Sequence, residues 1–391
     1  MKPAFATLDA VAQAAAAAGT PCYVYAPGHA ARRMRALREL MGDDRIHVAY
    51  AVKANPRPEF LKPLAATGCD FDVASNGELE RALGAGVAGA RMVFSGPGKQ
   101  EAEIARAVRL SVRLNAEGER DLRLAALHAG SGPVAVNLRI NPAGGAGGAG
   151  NIIGGAGPSR FGVDEGRLDA VLDRWGANER VRIQGVQVFT ASNLIDPREL
   201  ARHHTVAFAL ARRVQERIGR PIDTVDLGGG LGIPYADSEA ELDVAAVRDA
   251  LRGLLSANPW FTGRILLEPG RWISGPCGAY VARVLEVKDS QGTRFAVLDG
   301  GIHHLVRPAL IRTDQPCAVV RPGVGPLPAT GTPITFGGPL CTGIDILARG
   351  VPCGDVQEDD LVVFMQTGAY GETEAMPDFL LHPYPKTAFL D

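Results

Sequence analysis

The 391-residue chain has little net charge and no long hydrophobic run. Its 41 lysines and arginines nearly balance 43 aspartates and glutamates, which leaves a formal charge of −2. This balance provides no global attraction to nucleic acid or to an anionic membrane. No apolar run approaches the roughly 20 residues that cross a bilayer, and the first residues lack the apolar core of a signal peptide. We therefore expect a cytoplasmic protein with neither a membrane nor a nucleic-acid partner.

The cysteines lack the close spacing of metal-binding and redox motifs. No CxxC pair occurs among the six, which are Cys22, Cys69, Cys277, Cys317, Cys341 and Cys353. This scatter is typical of reduced thiols and argues against a cysteine-bound metal. The chain is rich instead in glycine and proline, with 48 and 27 residues, and its 46% of hydrophobic residues is enough for a sizeable core.

The first two thirds of the chain alternate between two kinds of segment. From about residue 29 to 271, apolar β-type runs alternate with amphipathic helical stretches, which indicates repeated βα units around a parallel sheet. An eight-unit barrel takes roughly 250 residues and carries its chemistry at the carboxyl ends of its strands. We predict a (β/α)8 barrel over residues 27–271. The strand candidates are 47–52, 71–73, 91–94, 134–140, 183–189, 224–227 and 264–267.

After residue 271 the helical periodicity fades. Five strand candidates separated by turns predict an all-β domain, and the strand-like residues 23–25 are expected to join it. We therefore assign residues 1–26 and 272–391 to a β-domain that completes the active site. The glycine-rich segment 141–157 follows a strand end and is either a lid or a tolerated insertion.

A lysine lies at the end of the first predicted strand. Lys53 stands in Tyr-Ala-Val-Lys-Ala-Asn-Pro, where partial desolvation would free its amine to attack an aldehyde. Taken alone, a lysine in this position is more often a solvated residue of the barrel rim. The interpretation depends on what surrounds it.

A run of glycines follows a later strand. In Asp-Leu-Gly-Gly-Gly-Leu-Gly, residues 226–232, the backbone N–H groups could close around a phosphate without a Cβ in the way. A dinucleotide-binding fingerprint would need a glycine where Ile233 stands. A monophosphate site is favoured over a plain turn.

An acidic residue and an arginine follow the last predicted strand. Glu268, in Glu-Pro-Gly-Arg, could keep a heterocyclic nitrogen protonated, and Arg271 could bind a phosphate or a carboxylate. An isolated tetrapeptide of this kind is more often a surface turn. Together, however, the lysine, the glycines and the glutamate are what pyridoxal 5'-phosphate (PLP) requires: an amine, a phosphate site and a partner for the ring nitrogen.

The motifs resemble those of a known family. The chain looks like the fold-type III, alanine-racemase-like PLP enzymes of the ornithine/diaminopimelate/arginine decarboxylase family, and especially like divergent members of siderophore and antibiotic pathways. The family joins a PLP-binding (β/α)8 barrel to a C-terminal β-domain. The similarity covers nearly the whole chain, through residues 50–55, 71–79, 138–142, 159–162, 226–232, 268–271, 307–310, 338–345 and 368–370.

The resemblance implies a role for each matching residue. Lys53 would hold the cofactor as a Schiff base, Glu268 would pair with the pyridine nitrogen, and Cys341 of the partner subunit would protonate the substrate carbon after CO₂ leaves. A homodimer with shared active sites follows. Taken alone, Cys341 would be interpreted as a small buried hydrophobe, but the preceding Gly-Pro and Asp345 four residues later favour the catalytic role. The cofactor would be bound by Arg139, Phe189, Ser192, Gly229, Gly230, Gly270, Arg271 and Tyr370, and the substrate by Arg307, Ile311, Thr342 and Asp345.

Several positions depart from the family pattern. Phe189 replaces a histidine that stacks on the cofactor ring, and Thr342 stands where relatives carry a glutamate or aspartate that pairs with a distal ammonium. Ile311 replaces a tyrosine, and Leu380 an asparagine. A desolvated ammonium without its partner costs on the order of several kcal/mol. We therefore predict a substrate whose distal end is neutral, acylated or acidic, such as a citryl-diaminopropionate conjugate or a carrier-bound glutamyl group.

Three other functions remain open at this point. The first is conventional diaminopimelate or ornithine decarboxylation in an atypical pocket. The second is racemisation, which Glu268 disfavours because racemases place an arginine at the ring nitrogen. The third is a non-catalytic PLP-binding regulator, a class that usually loses the lysine or the cysteine, whereas this chain keeps Lys53, Cys341 and Tyr370.

Overall fold

A computed structural model describes residues 3–143 and 158–390. The predicted lid or insertion falls mainly on residues 144–157, outside the described residues. The chain forms two compact units. The barrel unit comprises Arg33–Gly232 and Glu241–Gly270, and the β unit comprises Met1–Arg32, Ile233–Ala240 and Arg271–Asp391. The predicted domain limits, 27–271 for the barrel and 1–26 with 272–391 for the β-domain, stay a prediction.

The strands and helices have the following bounds. The strands are β1 Cys22–Tyr25, β2 Ile46–Ala51, β3 Asp70–Val73, β4 Met92–Phe94, β5 Arg113–Ala116, β6 Val134–Asn141, β7 Val163–Asp164, β8 Val181–Gln187, β9 Thr224–Asp226, β10 Arg264–Leu267, β11 Gly278–Ser290, β12 Thr293–Leu298, β13 Cys317–Arg321, β14 Gly325–Pro326, β15 Pro333–Gly337, β16 Ile346–Pro352, β17 Leu361–Phe364 and β18 Lys386–Phe389. The helices are α1 Leu8–Ala18, α2 Pro27–Met41, α3 Pro58–Ala65, α4 Asn76–Gly84, α5 Glu101–Arg109, α6 Glu119–Leu127, α7 Leu168–Trp175, α8 Pro197–Ile218, α9 Val244–Ala257, α10 Arg271–Ser274 and α11 Arg307–Ile311.

Eight parallel strands close into a barrel. They pair in the order β2, β3, β4, β5, β6, β8, β9 and β10, and β10 pairs back with β2. Helices α3 to α9 connect successive barrel strands. Most strand residues are buried, as expected where helices cover a parallel sheet. The predicted (β/α)8 barrel is confirmed, and its eight strands bring their carboxyl ends to one face.

Local signals in the sequence fix the ends of the barrel helices. Ser75 caps α4 by accepting from the backbone N–H of Glu78, whose carboxylate accepts in turn from the N–H of Ala74. Asp243 caps α9 in the same way, and α8 ends at Gly219, whose φ of +67° suits glycine. None of the described helices has the length and apolar character needed to cross a membrane.

The β unit is built on a second sheet. Its strands follow the order β14, β13, β17, β11, β12, β15 and β16, while β1 pairs with β11 and β18. Helix α1 packs against this sheet through Val11, Ala12 and Ala15, which join a core with residues of β1, β11 and β17. The predicted β-domain is confirmed, and the strand predicted at residues 23–25 is present as β1.

Candidate active site

Lys53 follows the carboxyl end of β2, on a single turn of 3₁₀ helix. Its Nζ donates to Oδ2 of Asp72 at 2.6 Å. Strands β2 and β3 are neighbours, with Ala51 opposite Asp72, so the barrel brings together two side chains that are 19 residues apart. Asp72 is buried and the lysine side chain is 38% exposed. The amine is therefore held by a buried carboxylate while a small molecule can still reach it.

Glu268 follows β10 directly and is also buried. Gln187, at the end of β8, donates from Nε2 to both carboxylate oxygens of Glu268, at 3.1 and 3.0 Å. The backbone N–H of Glu268 donates to the carbonyl of Gly228 at 2.7 Å. These bonds fix the orientation of the carboxylate at the strand ends.

A second buried carboxyl group lies beside Glu268. Asp226, at the end of β9, is hydrogen-bonded to Glu268 and accepts from the amide of Asn115 at 3.1 Å and from the N–H of Gly228 at 2.9 Å. Burial raises the pKa of Asp226 to about 6. Burial, and then the negative charge of Asp226, raise the pKa of Glu268 well above its ordinary value.

The group of side chains around Glu268 contains more carboxyl groups than amines. Asp72, Asp226 and Glu268 are all buried, and the cation that acts on Glu268 is Lys53. Asp226 and Glu268, whose pKa values are raised, bind protons more readily than ordinary carboxylates, and a second cation would stabilise the ionised cluster. A protonated heterocyclic nitrogen beside Glu268 is a cation of this kind.

The glycine motif takes a conformation that side chains would obstruct. A Cβ on Gly228, whose φ is +66°, would lie 2.7 Å from the Phe189 ring, and a Cβ on Gly229 would lie 2.8 Å from the Glu268 carbonyl oxygen. Gly228 is buried, whereas Gly229 and Gly230 are partly exposed. Packing thus accounts for the first two glycines, and the exposed backbone of Gly229 and Gly230 is compatible with the predicted phosphate site.

Gly270 is needed for close packing next to Lys53. A Cβ at this position would lie 2.7 Å from the Cβ of Ala54 and 3.1 Å from that of Ala51. The backbone N–H of Ala51 also donates to the carbonyl of Pro269. The Glu-Pro-Gly segment and the lysine turn therefore hold each other in place.

Arg139 is held by an acidic residue that the sequence analysis did not single out. Its NH1 donates to Oε1 of Glu117 at 2.7 Å, and its guanidinium carbon lies 4.7 Å from the centre of the Phe161 ring. Glu117 also accepts from the N–H groups of Gly96 and Gly162. Glu117 thus fixes Arg139 at the end of β6. Ser192 is half-buried in the loop after β8, and its predicted contact with phosphate stays a prediction.

The β unit contains a group of arginines and tyrosines. Arg271 donates from NH1 to the hydroxyl of Tyr235 at 2.7 Å, and its guanidinium carbon lies 4.8 Å from the centre of the Tyr370 ring. The guanidinium of Arg307 stacks on the Tyr235 ring, with its carbon 3.3 Å from the ring centre. Two predicted site residues, Arg271 and Arg307, therefore contact Tyr235, and the third, Tyr370, contacts Arg271. No motif in the sequence indicates this role for Tyr235.

Cys341 lies on the loop between β15 and β16. It is exposed in the single chain, so its interpretation as a small buried hydrophobe is wrong. Asp345 in the same loop is buried, and its two oxygens accept from the N–H groups of Ile302 and Leu340, at 2.7 and 2.8 Å. Asp345 thus fixes the segment that carries Cys341, and its contact with substrate stays a prediction. Thr342 and Ile311 are half-buried.

Comparison with known proteins gives the class of the chain. The family model for the pyridoxal binding domain of pyridoxal-dependent decarboxylases matches residues 28–275. A diaminopimelate decarboxylase of Zymomonas mobilis is 33% identical over 92% of this chain and 85% of its own length. An L-glutamyl-[BtrI acyl-carrier protein] decarboxylase of Niallia circulans is 30% identical over 94% of this chain and 87% of its own. The crystal structure of diaminopimelate decarboxylase from Helicobacter pylori, complexed with L-lysine, superposes with a TM-score of 0.86, 26% identity and coverage of 95% and 92%.

The chain belongs to the pyridoxal-dependent decarboxylases, a family of carboxy-lyases, and its cofactor is PLP. The described residues fit this cofactor. The barrel unit offers an accessible lysine amine and a surplus of buried carboxyl groups for the ring nitrogen. In the β unit, the buried Nε of Arg271 has no hydrogen-bond partner among the described residues, and a phosphate oxygen would supply one.

Proposed function

We propose that the protein removes the α-carboxylate of an amino acid or amino-acid conjugate that lacks a free distal ammonium. In this proposal Lys53 binds the cofactor aldehyde, Glu268 keeps its ring nitrogen protonated, and Arg307 binds a substrate carboxylate. PLP supplies an electron sink that accepts the electron pair left when CO₂ departs. Cys341 then delivers a proton to the substrate carbon.

The substrate proposal rests on one observation: the loop that bears Cys341 offers no carboxylate to pair with a distal ammonium. Its one acidic residue, Asp345, is buried and accepts from two backbone N–H groups. The residue next to Cys341 is Thr342, which is neutral. A distal ammonium placed there would lose water without gaining a counter-charge, at a cost on the order of several kcal/mol. A neutral or acylated distal end avoids this cost.

The name of one relative also supports a substrate without a distal ammonium. The Niallia circulans enzyme is named for a glutamyl group on an acyl-carrier protein, and a glutamyl group has no amine other than the one on its α-carbon. By analogy, candidate substrates for this chain are a carrier-bound glutamyl group and a citryl-diaminopropionate conjugate.

A substrate panel tests the proposal. Purified protein with PLP is incubated with meso-diaminopimelate, ornithine and lysine, and in parallel with acylated and carrier-attached amino acids, and CO₂ release is measured. We expect turnover of an acylated or carrier-attached compound. Rapid turnover of free meso-diaminopimelate or ornithine would refute the substrate proposal while leaving the PLP chemistry intact.

The Thr342→Glu variant sharpens this test. It restores a carboxylate beside Cys341, so it should raise the activity on substrates with a distal ammonium and lower the activity on acylated ones. Thr313→Glu, an exposed position outside this loop, is the matched control. If both variants change the substrate preference equally, a general charge effect explains the result and Thr342 has no special role.

Diaminopimelate decarboxylation is the second candidate. It is favoured by the 33% identity to the Zymomonas mobilis enzyme over most of both chains. This candidate predicts that meso-diaminopimelate is the best substrate of the panel and that Thr342→Glu has little effect. The two candidates therefore differ in both experiments.

We also propose that the enzyme is a homodimer in which Cys341 serves the partner's active site. The exposure of Cys341 in the single chain supports this assembly. Lys53→Ala and Cys341→Ala proteins should each be nearly inactive, and mixed dimers should recover about a quarter of the activity, because one of two sites in half of the dimers is intact. No recovery after subunit exchange would show that both residues act within one chain.

A further inference from the structure

Tyr235 lies between two arginines of the β unit. Its hydroxyl accepts from NH1 of Arg271 at 2.7 Å, and the face of its ring carries the guanidinium of Arg307 at 3.3 Å from the ring centre. Tyr235 itself is 6% exposed, so its ring is held by its surroundings. The guanidinium carbon of Arg271 also lies 5.8 Å from the ring centre, so one rigid side chain contacts both cations.

The far side of Arg307 is fixed as well. Its NH1 donates to Oε1 of Gln315 at 3.1 Å, and Gln315 is buried and donates from Nε2 to the carbonyl of Met365 at 2.6 Å. The guanidinium of Arg307 is therefore confined between the Tyr235 ring and an amide that cannot move freely.

The two arginines act on each other electrostatically. Burial lowers the pKa of Arg307. Tyr235 acts in the opposite direction and raises this pKa, whereas the positive charge of Arg271 lowers it further. Two guanidinium groups that repel each other keep a fixed separation only if something between them holds both. Tyr235 fulfils this condition through a charge-assisted hydrogen bond on one side and a cation–π contact on the other.

We propose that Tyr235 is a positioning residue that holds Arg271 for the cofactor phosphate and Arg307 for the substrate carboxylate, and so couples the two binding sites. The inference rests on the roles proposed above for these arginines. The hydroxyl accepts the 2.7 Å hydrogen bond from Arg271 and also interacts with Arg307, whereas the ring is the face on which Arg307 stacks. Loss of the hydroxyl and loss of the ring should therefore change the two binding sites to different extents.

Tyr235→Phe removes the hydroxyl and keeps the ring. Arg271 loses its hydrogen bond, so the affinity for PLP should fall about five- to tenfold. The affinity for pyridoxal, which has no phosphate, should stay the same, and the KM of the substrate should rise less than in a variant that also lacks the ring. Both affinities are measured from the absorbance of the bound cofactor, which does not depend on turnover.

Tyr235→Leu removes the ring as well. Besides the loss in PLP affinity, the KM of the substrate should rise about three- to thirtyfold, because Arg307 loses the face on which it stacks. Gln315→Met gives the reverse pattern: a higher KM with an unchanged ratio of PLP to pyridoxal affinity. The control is Tyr384→Phe, which removes an exposed hydroxyl bonded to Asp378 and should change none of these values. Thermal melts confirm that each variant is folded.

The outcomes separate this inference from the proposed function. It is overturned if Tyr235→Phe weakens PLP and pyridoxal binding equally, weakens neither, or raises the KM as much as Tyr235→Leu does. Arg271→Lys tests the underlying assignment and should lower the ratio of PLP to pyridoxal affinity. If that ratio falls in Arg271→Lys but not in Tyr235→Phe, only the inference fails. If it is unchanged in Arg271→Lys, the phosphate role proposed for Arg271 fails.

Discussion

The barrel unit and the β unit concentrate ionisable groups of opposite sign. In the barrel unit, Asp72, Asp226 and Glu268 are buried together with the amine of Lys53 close to Asp72. In the β unit, the corresponding cluster consists of two arginines in contact with tyrosines. The carboxyl groups of the barrel unit favour the binding of a cation, and the arginines of the β unit favour the binding of anions.

Each cluster therefore has the charge to bind a different kind of ionic group. PLP carries a ring nitrogen that a carboxylate keeps protonated and a phosphate that arginines can bind. The net charge of −2 conceals this local separation of charge. The Tyr235 and Arg271 variants test the arginine cluster, and the following variants test the barrel unit, beginning with the largest expected effect.

Removing the amine of the barrel cluster should abolish function. In Lys53→Ala the protein should lose the visible absorbance of covalently bound PLP and fall by several orders of magnitude in activity, because no other group replaces the nucleophile. Absorbance spectra and CO₂ release measure the two effects. Lys62→Ala, an exposed lysine on α3, serves as the control. A Lys53→Ala protein that keeps the absorbance would exclude Lys53 as the attachment point.

Neutralising Glu268 should be the next largest effect. Glu268→Gln keeps the shape but removes the carboxylate that is proposed to pair with the ring nitrogen, so kcat should fall about a hundred- to a thousandfold. Steady-state kinetics at saturating PLP measure it, with the exposed Glu216→Gln as the control. An unchanged kcat would mean that the barrel carboxylates do not act on the cofactor ring.

Filling the glycine motif should destabilise the barrel unit. Gly228→Ala introduces a Cβ at 2.7 Å from the Phe189 ring in a backbone conformation with φ of +66°. We expect a loss of about 1–3 kcal/mol in the free energy of unfolding, measured with urea. Gly253→Ala, in the interior of α9 where no atom lies within 4 Å, should instead stabilise by about 0.5–1 kcal/mol. Equal effects of the two variants would contradict the packing described for Gly228.

The pH dependence of stability should reveal the buried acids. The pKa of Asp226 is raised from 3.8 to about 6, so between these pH values the folded state without cofactor binds more protons than the unfolded chain. The stability of the protein therefore falls as the pH rises through the raised pKa. From about pH 5 to about pH 7 this loss should amount to about 1 kcal/mol.

Histidines of the β unit change the pH dependence of stability in the opposite direction. A variant is therefore needed to isolate the contribution of Asp226. Burial lowers the pKa of His303 and His304 to about 4, and their contribution to stability therefore rises between about 4 and 6.5. The comparison is between wild type and Asp226→Asn, by urea unfolding at both ends of the range. The variant should have a less negative slope. The same slope in both proteins would show that Asp226 does not hold an extra proton.

Much of the fold and part of the site could be predicted from the sequence. Parallel strands alternating with helices define a barrel, and functional residues of such barrels lie at strand ends, which singles out Lys53 and Glu268. The family resemblance supplied further residues, among them Arg271 and Arg307. In the structure the charge of Lys53 acts on the buried Glu268, and both arginines contact Tyr235. The roles of these residues stay a prediction.

The partners of these residues could not be predicted in the same way. Gln187 reaches Glu268 across 81 residues of sequence, and Glu117 reaches Arg139 from a neighbouring strand. Periodicity identifies which residues face inward but not which ones meet across a barrel. Asp345 illustrates the same limit: its spacing from Cys341 indicated a role in the site, while only the fold assigns both its oxygens to backbone N–H groups.

The most direct test compares two substrates that differ only at the distal amine. The kcat/KM for CO₂ release is measured with 2,3-diaminopropionate and with its derivative acylated on the 3-amino group. The residue after Cys341 is the neutral Thr342, so no carboxylate is present there to pair with the free amine. The kcat/KM of the acylated compound should therefore be higher by about a hundredfold or more. An equal or higher kcat/KM for the free diamine would contradict the account.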